Sequence, residues 1–387
     1  MRALRPLPVP TGDAVLELLP LLATALAGEL PDALHPHAAG TDPHPSLRTG
    51  TPLAPGEDDP DDPTAVVVAT SGSTGTPKGA LLPAGALRAS AAATAQRLAP
   101  GDGRQQWVLA LPAHHVAGLQ VLLRSVRAGT EPVVLAPGPF TAEAFVAATA
   151  ATTGAHLLTS LVPTQLVRLL DAGEEARAAL ARYRAVLVGS AATPTALLER
   201  ARAAGIRVVT TYGSSETSGG CVYDGVPLAG VVPALEDGRL TLTGPVLARG
   251  YRGMPGHPAF AGGAFRTDDT AVLEGGRVRV LGRVDDLITT GGLKVAPVLV
   301  EEALTGLAGV GEVVVVGVPD PEWGQRIVAV IVASGTAPSL EQVRARVSAV
   351  VARHAAPRQL LLLEELPLRG PGKPDRTRLR ELAGGAP

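Results

Sequence analysis

Short apolar runs alternate with amphipathic stretches over the first two thirds of the chain. Residues 65–70 (AVVVAT) have the unbroken branched-apolar character of a buried strand, and residues 107–111, 132–136, 185–189 and 207–212 read as further strands. Helical spacing of apolar positions predicts helices over residues 84–98, 115–127, 141–151, 163–171 and 194–204, with one more from about Asp13. This alternation predicts an α/β fold, with mainly parallel sheets flanked by helices and ligands collecting beyond the carboxyl ends of strands. Residues 41–64, rich in Pro, Asp and Gly, read as an irregular approach loop.

The rhythm changes after Gly219. Short segments at 239–243 and 277–281, separated by Gly and Pro, predict a small antiparallel or β-barrel-like subdomain. Beyond residue 283 comes a compact α+β pattern: helices at 299–307 and 339–353, strands at 312–318 and 326–333. The expected organisation is a large N-terminal domain, residues 1–283, and a mobile C-terminal domain, residues 284–387, joined at a seam near 283–286.

Composition narrows the function. With 387 residues, a net charge of −2 and 3% aromatics, the chain has neither the field nor the stacking platforms for nucleic acid. Its single cysteine, Cys221, excludes an internal disulfide. Pro8, Pro10, Gly12, Asp13 and Glu17 interrupt the N-terminal apolar stretch, so a cytoplasmic protein without stable membrane insertion is expected. The sequence leaves the oligomeric state open, a homo-oligomer included.

Of 34 basic residues 31 are Arg, and the three Lys (Lys78, Lys294, Lys373) all lie in Gly-containing segments. An ammonium is a compact point charge that a guanidinium fork does not replace at a tight phosphate or oxyanion site. Thr70-Ser-Gly-Ser-Thr-Gly-Thr-Pro-Lys-Gly79 follows a predicted strand and precedes a predicted helix. Its glycines let backbone approach a polyanion, the hydroxyls of Thr70, Ser71, Ser73 and Thr74 can donate, and Lys78 adds charge: a triphosphate cradle. It is not the common nucleoside-triphosphatase loop, because Gly79 follows Lys78.

This segment resembles the phosphate-binding motif of the adenylate-forming superfamily, which includes acyl-CoA synthetases, luciferases and peptide-synthetase adenylation domains. Further segments match that superfamily in order: YGSSET at 212–217, TDD at 267–269, GRVDD at 282–286 and GPGK at 370–373. The resemblance implies an AMP-binding domain followed by a mobile domain. It also implies ATP and Mg²⁺ as cofactors, and a small carboxylic acid and CoA as co-substrates.

By that resemblance Thr70, Ser71, Gly72, Ser73, Thr74, Gly75 and Lys78 hold phosphates, and Glu216 helps bind Mg²⁺. Tyr212, Gly213 and Ser215 on one side, with Gly189, Ser190 and Ala191 on the other, flank adenine. Asp269 and Arg283 bind ribose; Asp268 stands where the superfamily has Gly and is given no role. Lys373 is the catalytic cation of adenylation, Asp285 the hinge, and Gly291 and Gly292 line the thiol tunnel. Lys294 beside them either contacts a CoA phosphate or stays in solvent.

The segment at 111–120 (LPAHHVAGLQ) and that at 160–168 (SLVPTQLVR) are similar to those of o-succinylbenzoate–CoA ligases of menaquinone synthesis. On this likeness His115 lies at the carboxylate entrance, unless it is a hydrogen-bonded core imidazole. Gln165 and Arg168, three apart, are expected on one helix face toward the second carboxylate of that dianion; the competing reading of Arg168 is a surface arginine. The expected reaction converts o-succinylbenzoate, ATP and CoA to the acyl-CoA, AMP and pyrophosphate. The alternative is a CoA ligase, or an enzyme loading a carrier protein, for another aryl or short-chain acid.

Overall fold

The computed structural model describes residues 2–70, 76–101, 104–368 and 374–385. Ser71, Gly72, Ser73, Thr74 and Gly75 of the phosphate loop, and Lys373, lie outside the described residues.

The first sheet contains β1 (Leu4–Val9), β2 (Ala33–Ala38), β3 (Thr64–Ala69) and β4 (Gly79–Pro83), side by side in that order. The first three run parallel, and β4 turns back antiparallel on β3. Strands β1 and β2 are absent from the sequence reading because prolines break their apolar pattern. Proline is tolerated here because β1 is an edge strand and Pro36 lies beyond the one residue pair, Leu34 with Val66, that joins β2 to β3.

Helices α1 (Leu19–Ala27) and α2 (Ala84–Leu98) pack on this sheet through Leu22, Leu26 and Leu87. The second sheet is built from β5 (Gln105–Leu109), β6 (Val133–Val134), β7 (His156–Leu161), β8 (Ala185–Val188), β9 (Val208–Ser214), β10 (Gly219–Tyr223) and β11 (Val226–Pro227). Its order is β11-β10-β9-β8-β7-β5-β6, parallel from β6 to β9 and antiparallel at β10 and β11.

Alternation along these strands divides the interior. Trp107, Leu109, Leu158 and Leu187 face one core with α1, α2 and α3 (Val116–Ala128). Val108, Leu157, Val186 and Val188 face another with α4 (Ala142–Ala150), α5 (Pro163–Asp171), α6 (Glu174–Ala181) and α7 (Thr195–Ala203). With helices on both faces the parallel strands are buried, which accounts for their unbroken apolar runs. Strand β7 escaped the sequence reading because its apolar run, HLLTSL, flows directly into α5.

Strands β12 (Val232–Glu236), β13 (Arg239–Thr243), β14 (Phe265–Glu274) and β15 (Arg277–Arg283) form a four-stranded antiparallel meander. The last unit comprises β16 (Ile288–Thr290), β17 (Leu293–Val295), α8 (Pro297–Leu304), β18 (Val310–Asp320), β19 (Gly324–Ala333), α9 (Leu340–Val350), β20 (Gln359–Leu363) and α10 (Arg376–Gly384). Alternate residues of its long β18–β19 hairpin face α8 and α9 on one side and α10 on the other. Its clusters share no residue with those of the preceding sheets.

Candidate active site

The phosphate loop corrects one expectation. It joins two antiparallel strands, with Ala69 paired to Gly79, and helix α2 begins only after β4. A hairpin therefore carries the loop, and β4 separates it from the N-terminus of α2. The sequence reading placed the helix correctly at 84–98 but missed β4 before it, because the run GALLP is a strand of only five residues. The hairpin is pinned at its neck: the Thr70 N–H donates to the Lys78 carbonyl at 2.8 Å, and the Lys78 N–H to Thr70 Oγ1 at 3.3 Å.

Lys78 Nζ lies 3.4 Å from His257 Nε2 and 4.9 Å from the centroid of the Tyr251 ring. Burial, then the Lys78 charge, holds His257 below the ordinary imidazole value, so a neutral ring faces the ammonium. Sequence reasoning missed both partners. Tyr251 is one of only four tyrosines and directly follows Gly250, which is the signal available.

At the carboxyl end of β9, the Tyr212 hydroxyl donates to Asp269 Oδ2 at 2.6 Å, bridging the second sheet and the meander. Burial raises the Asp269 carboxyl above its ordinary value, against the opposing pull of the Tyr212 hydrogen bond and the Arg283 charge. The tyrosine is raised as well, by burial and then by the Asp269 charge. Arg283 is paired in register with Asp269, but its guanidinium is held by Asp268 at 3.1 Å. Asp268 also meets Arg239 at 3.3 Å. Asp268 thus steers an arginine, a function the sequence reading did not assign.

Ser215, Glu216 and Thr217 form a single 3₁₀ turn after β9. Glu216 is buried and accepts from the Tyr251 hydroxyl at 2.6 Å. Burial, then the Glu216 charge, raises the tyrosine. Among the described residues no three His, Cys, Asp or Glu side chains gather into a metal-holding group. A lone carboxylate beside a phosphate loop fits Mg²⁺, which keeps water and phosphate oxygens and needs one or two protein carboxylates.

Gly189 and Gly213 are required by close approach. A Cβ on Gly189 would collide with Thr211 Oγ1, and one on Gly213 with the Gly219 carbonyl. Next to Gly189, Ser190 is held left-handed at φ +68, with Ala191 following it half-buried, and such strain gathers at ligand clamps.

The acid-binding expectations divide. His115 is exposed at the start of α3, its ring 4.3 Å from that of His114, so the core-imidazole reading is wrong. His114 is the half-buried one, pushed down to about 4 by burial and then by the His115 and His37 charges. Gln165 and Arg168 do not form one polar face. Gln165 is buried, accepting from the Val162 N–H at 3.0 Å and donating to the Ala110 carbonyl at 3.0 Å. Arg168 is exposed. The spacing brought the two onto α5 but not into one environment.

Gly291 and Gly292, both at positive φ, make the two-residue turn of the β16–β17 hairpin. Gly291 also packs against the Trp323 ring. Lys294 is exposed beside the turn. Asp285 is exposed in the 3₁₀ turn Val284–Asp286 that follows β15.

Thr70 and Lys78 from the first sheet, Tyr212 and the close-approach glycines from the second, and Asp269 from the meander are linked through Tyr251 and Glu216 into one polar site, as in an enzyme that handles a nucleoside triphosphate. The chain belongs to the AMP-binding enzyme family: that family's model matches residues 22–252, and the model of the AMP-binding enzyme C-terminal domain matches residues 299–373. It is 44% identical to a probable 2-succinylbenzoate–CoA ligase of Mycobacterium tuberculosis, over 99% of this chain and 100% of that one. It is also similar to o-succinylbenzoate CoA synthetase from Bacillus subtilis in complex with its acyl-adenylate intermediate. That match has a TM-score of 0.70 and 28% identity, over 82% of this chain and 69% of the other. The same Bacillus enzyme in complex with ATP and magnesium ion gives 0.69 and 27%, over 82% and 70%. Among the described residues no helix is long and apolar enough to cross a membrane.

Proposed function

We propose that the protein is an acid–thiol ligase that adenylates o-succinylbenzoate and passes the acyl group to CoA. The full-length likeness to a 2-succinylbenzoate–CoA ligase carries the choice of acid. The Tyr212–Asp269 pair beside Glu216 and Lys78 carries the choice of chemistry.

In the first half-reaction a carboxylate oxygen of the acid attacks the α-phosphorus of ATP. The bond to the bridging oxygen breaks, giving acyl-AMP and pyrophosphate. Thr70 and Lys78, with Ser71, Gly72, Ser73, Thr74 and Gly75, hold the β- and γ-phosphates. Asp269 accepts from the ribose hydroxyls, with Tyr212 fixing its rotamer. Bound Mg²⁺, held by Glu216, supplies charge neutralisation on the phosphates. Lys373 neutralises charge at the carboxylate and α-phosphate. In the second half-reaction the CoA sulfur attacks the acyl carbon, the thiol proton leaves, and the acyl–AMP bond breaks. Residues 1–283 and 284–387 act as the two domains, turning about Asp285 between steps, with Gly291 and Gly292 at the thiol path.

The test is pyrophosphate release with ATP, Mg²⁺, CoA and o-succinylbenzoate, the thioester identified by mass. Turnover to the CoA adduct is expected. Pyrophosphate release with other aryl acids but not this one would replace the acid. An adduct on a carrier-protein thiol but not on CoA would replace the acceptor.

A further inference from the structure

The fold holds a second nitrogen beside Lys78. Residues 249–252 run alongside β4: the Leu81 N–H donates to the Gly250 carbonyl at 3.0 Å, the Arg249 N–H to the Leu81 carbonyl at 2.8 Å, and the Arg252 N–H to the Gly79 carbonyl at 2.8 Å. The turn that follows is pinned by the buried pair Arg252–Glu57, and Glu57 also accepts from the Gly253 N–H. Half-buried His257 comes next, its ring edge-on to Tyr251 with 4.8 Å between centroids and 85° between planes. Its Nε2 lies 3.4 Å from Lys78 Nζ.

The hydrogen bonds decide what that nitrogen offers. His257 Nδ1 accepts from the Ala259 N–H at 3.2 Å, at the start of the 3₁₀ turn Pro258–Gly263. A backbone N–H only donates, so Nδ1 is committed as acceptor and the proton of the neutral ring sits on Nε2. That N–H faces an ammonium, which has no acceptor to give. Two donors at this distance do not satisfy each other, and no ion pair among the described residues includes Lys78. The nearby carboxylates are taken: Asp268 by Arg283 at 3.1 Å and Arg239 at 3.3 Å, Glu216 by the Tyr251 hydroxyl.

What the pair lacks is one anionic oxygen that both groups reach. A phosphate oxygen supplies it, accepting a charge-assisted bond from the ring and neutralised by the ammonium. Tyr251 and the Ala259 N–H fix the ring beforehand, so little side-chain freedom is lost when that oxygen arrives.

We propose that His257 is a further phosphate-binding residue, donating through Nε2 to the β- or γ-phosphate oxygen that Lys78 neutralises. The proposal rests on the functional reading above, which makes ATP the polyphosphate, and deepens it: the bond is kept by the departing pyrophosphate and is absent in AMP, which has no phosphate beyond the first.

The experiment measures Kd for MgATP and for AMP by calorimetry, without acid or CoA, on wild type, His257→Phe, His257→Asn and His257→Gln. Phe keeps the ring contact with Tyr251 and removes both nitrogens. Asn can still accept from the Ala259 N–H but does not reach Lys78; Gln carries an amide N–H out to the position of Nε2. Phe and Asn should weaken MgATP about 10-fold or more, the worth of a hydrogen bond to a charged group, with AMP unmoved. Gln should recover most of the loss. A loss shared equally by AMP, no loss at all, or binding rescued by Asn and not by Gln would overturn the proposal and leave His257 a cap for the turn at Pro258–Gly263. If His257→Phe does not fold, the contrast between Asn and Gln decides. Wild type that binds no MgATP would sink the functional reading, and the proposal with it. Wild type that binds MgATP but does not turn over o-succinylbenzoate would replace the acid alone, and the four Kd values still judge His257.

Discussion

Asp269 shows how one carboxylate serves ligand binding at the expense of the fold. Its folded value lies above its unfolded value because burial outweighs Tyr212 and Arg283. Between those two values the native state binds more protons than the unfolded chain, so stability falls as pH rises through that interval. At neutral pH the ionised carboxylate is a net cost that ATP binding offsets. Asp269→Asn should therefore melt higher than wild type at pH 7, with the gap closing as pH falls toward and below the carboxylate range. The same variant should raise KM for ATP about 10- to 100-fold, the worth of hydrogen bonds to a charged group. Scanning calorimetry across pH with steady-state kinetics checks both; a variant that melts lower at pH 7 would show that Tyr212 and Arg283 outweigh burial.

Helix α5 separates what a sequence tells about an element from what it tells about a site. Its span, Pro163–Asp171, is legible because Pro163 opens it and the apolar spacing is helical. What spacing cannot give is the depth of each side chain: Gln165 is tied to Val162 and Ala110, while Arg168 ends in solvent. Gln165→Ala should cost about 1–2 kcal/mol, since it frees a helix-start N–H and a buried carbonyl. Arg168→Ala should leave stability and the diacid-to-monoacid preference unchanged. Denaturant melts and kinetics with o-succinylbenzoate and with 4-oxo-4-phenylbutanoate, which lacks the ring carboxylate, test this; a preference lost in Arg168→Ala would restore the reading made from sequence. Likewise, the phosphate loop is legible as chemistry, but the five residues of β4 hide that a hairpin carries it. Tyr251 stands outside every motif, with only the preceding Gly250 as a signal, and its packing against Glu216 gives it meaning.

The whole molecule is two sets of cores with a narrow joint. Arg283 is tied backwards to Asp268 in the meander, and Asp286 forwards to Arg380 at 2.7 Å in α10. Asp285, exposed between these anchors, meets only Arg283, at 3.9 Å, among the described ion pairs. A chain pinned on both sides of one residue concentrates any rotation at that residue's backbone angles. Asp285→Pro, which fixes φ near −65°, should hold the C-terminal unit in one orientation, sparing one half-reaction and slowing the other at least about 10-fold. Lys373→Ala should have a one-sided effect through chemistry, losing adenylate formation while still making thioester from supplied acyl adenylate. The two half-reactions can be followed separately, by ATP–pyrophosphate exchange and by CoA capture of synthetic acyl adenylate. If Lys373→Ala loses both equally, its charge is not specific to adenylation. If Asp285→Pro slows both equally with an unchanged melting temperature, the turn at Val284–Asp286 is a plain connector, and the joint must lie elsewhere between the two sets of cores.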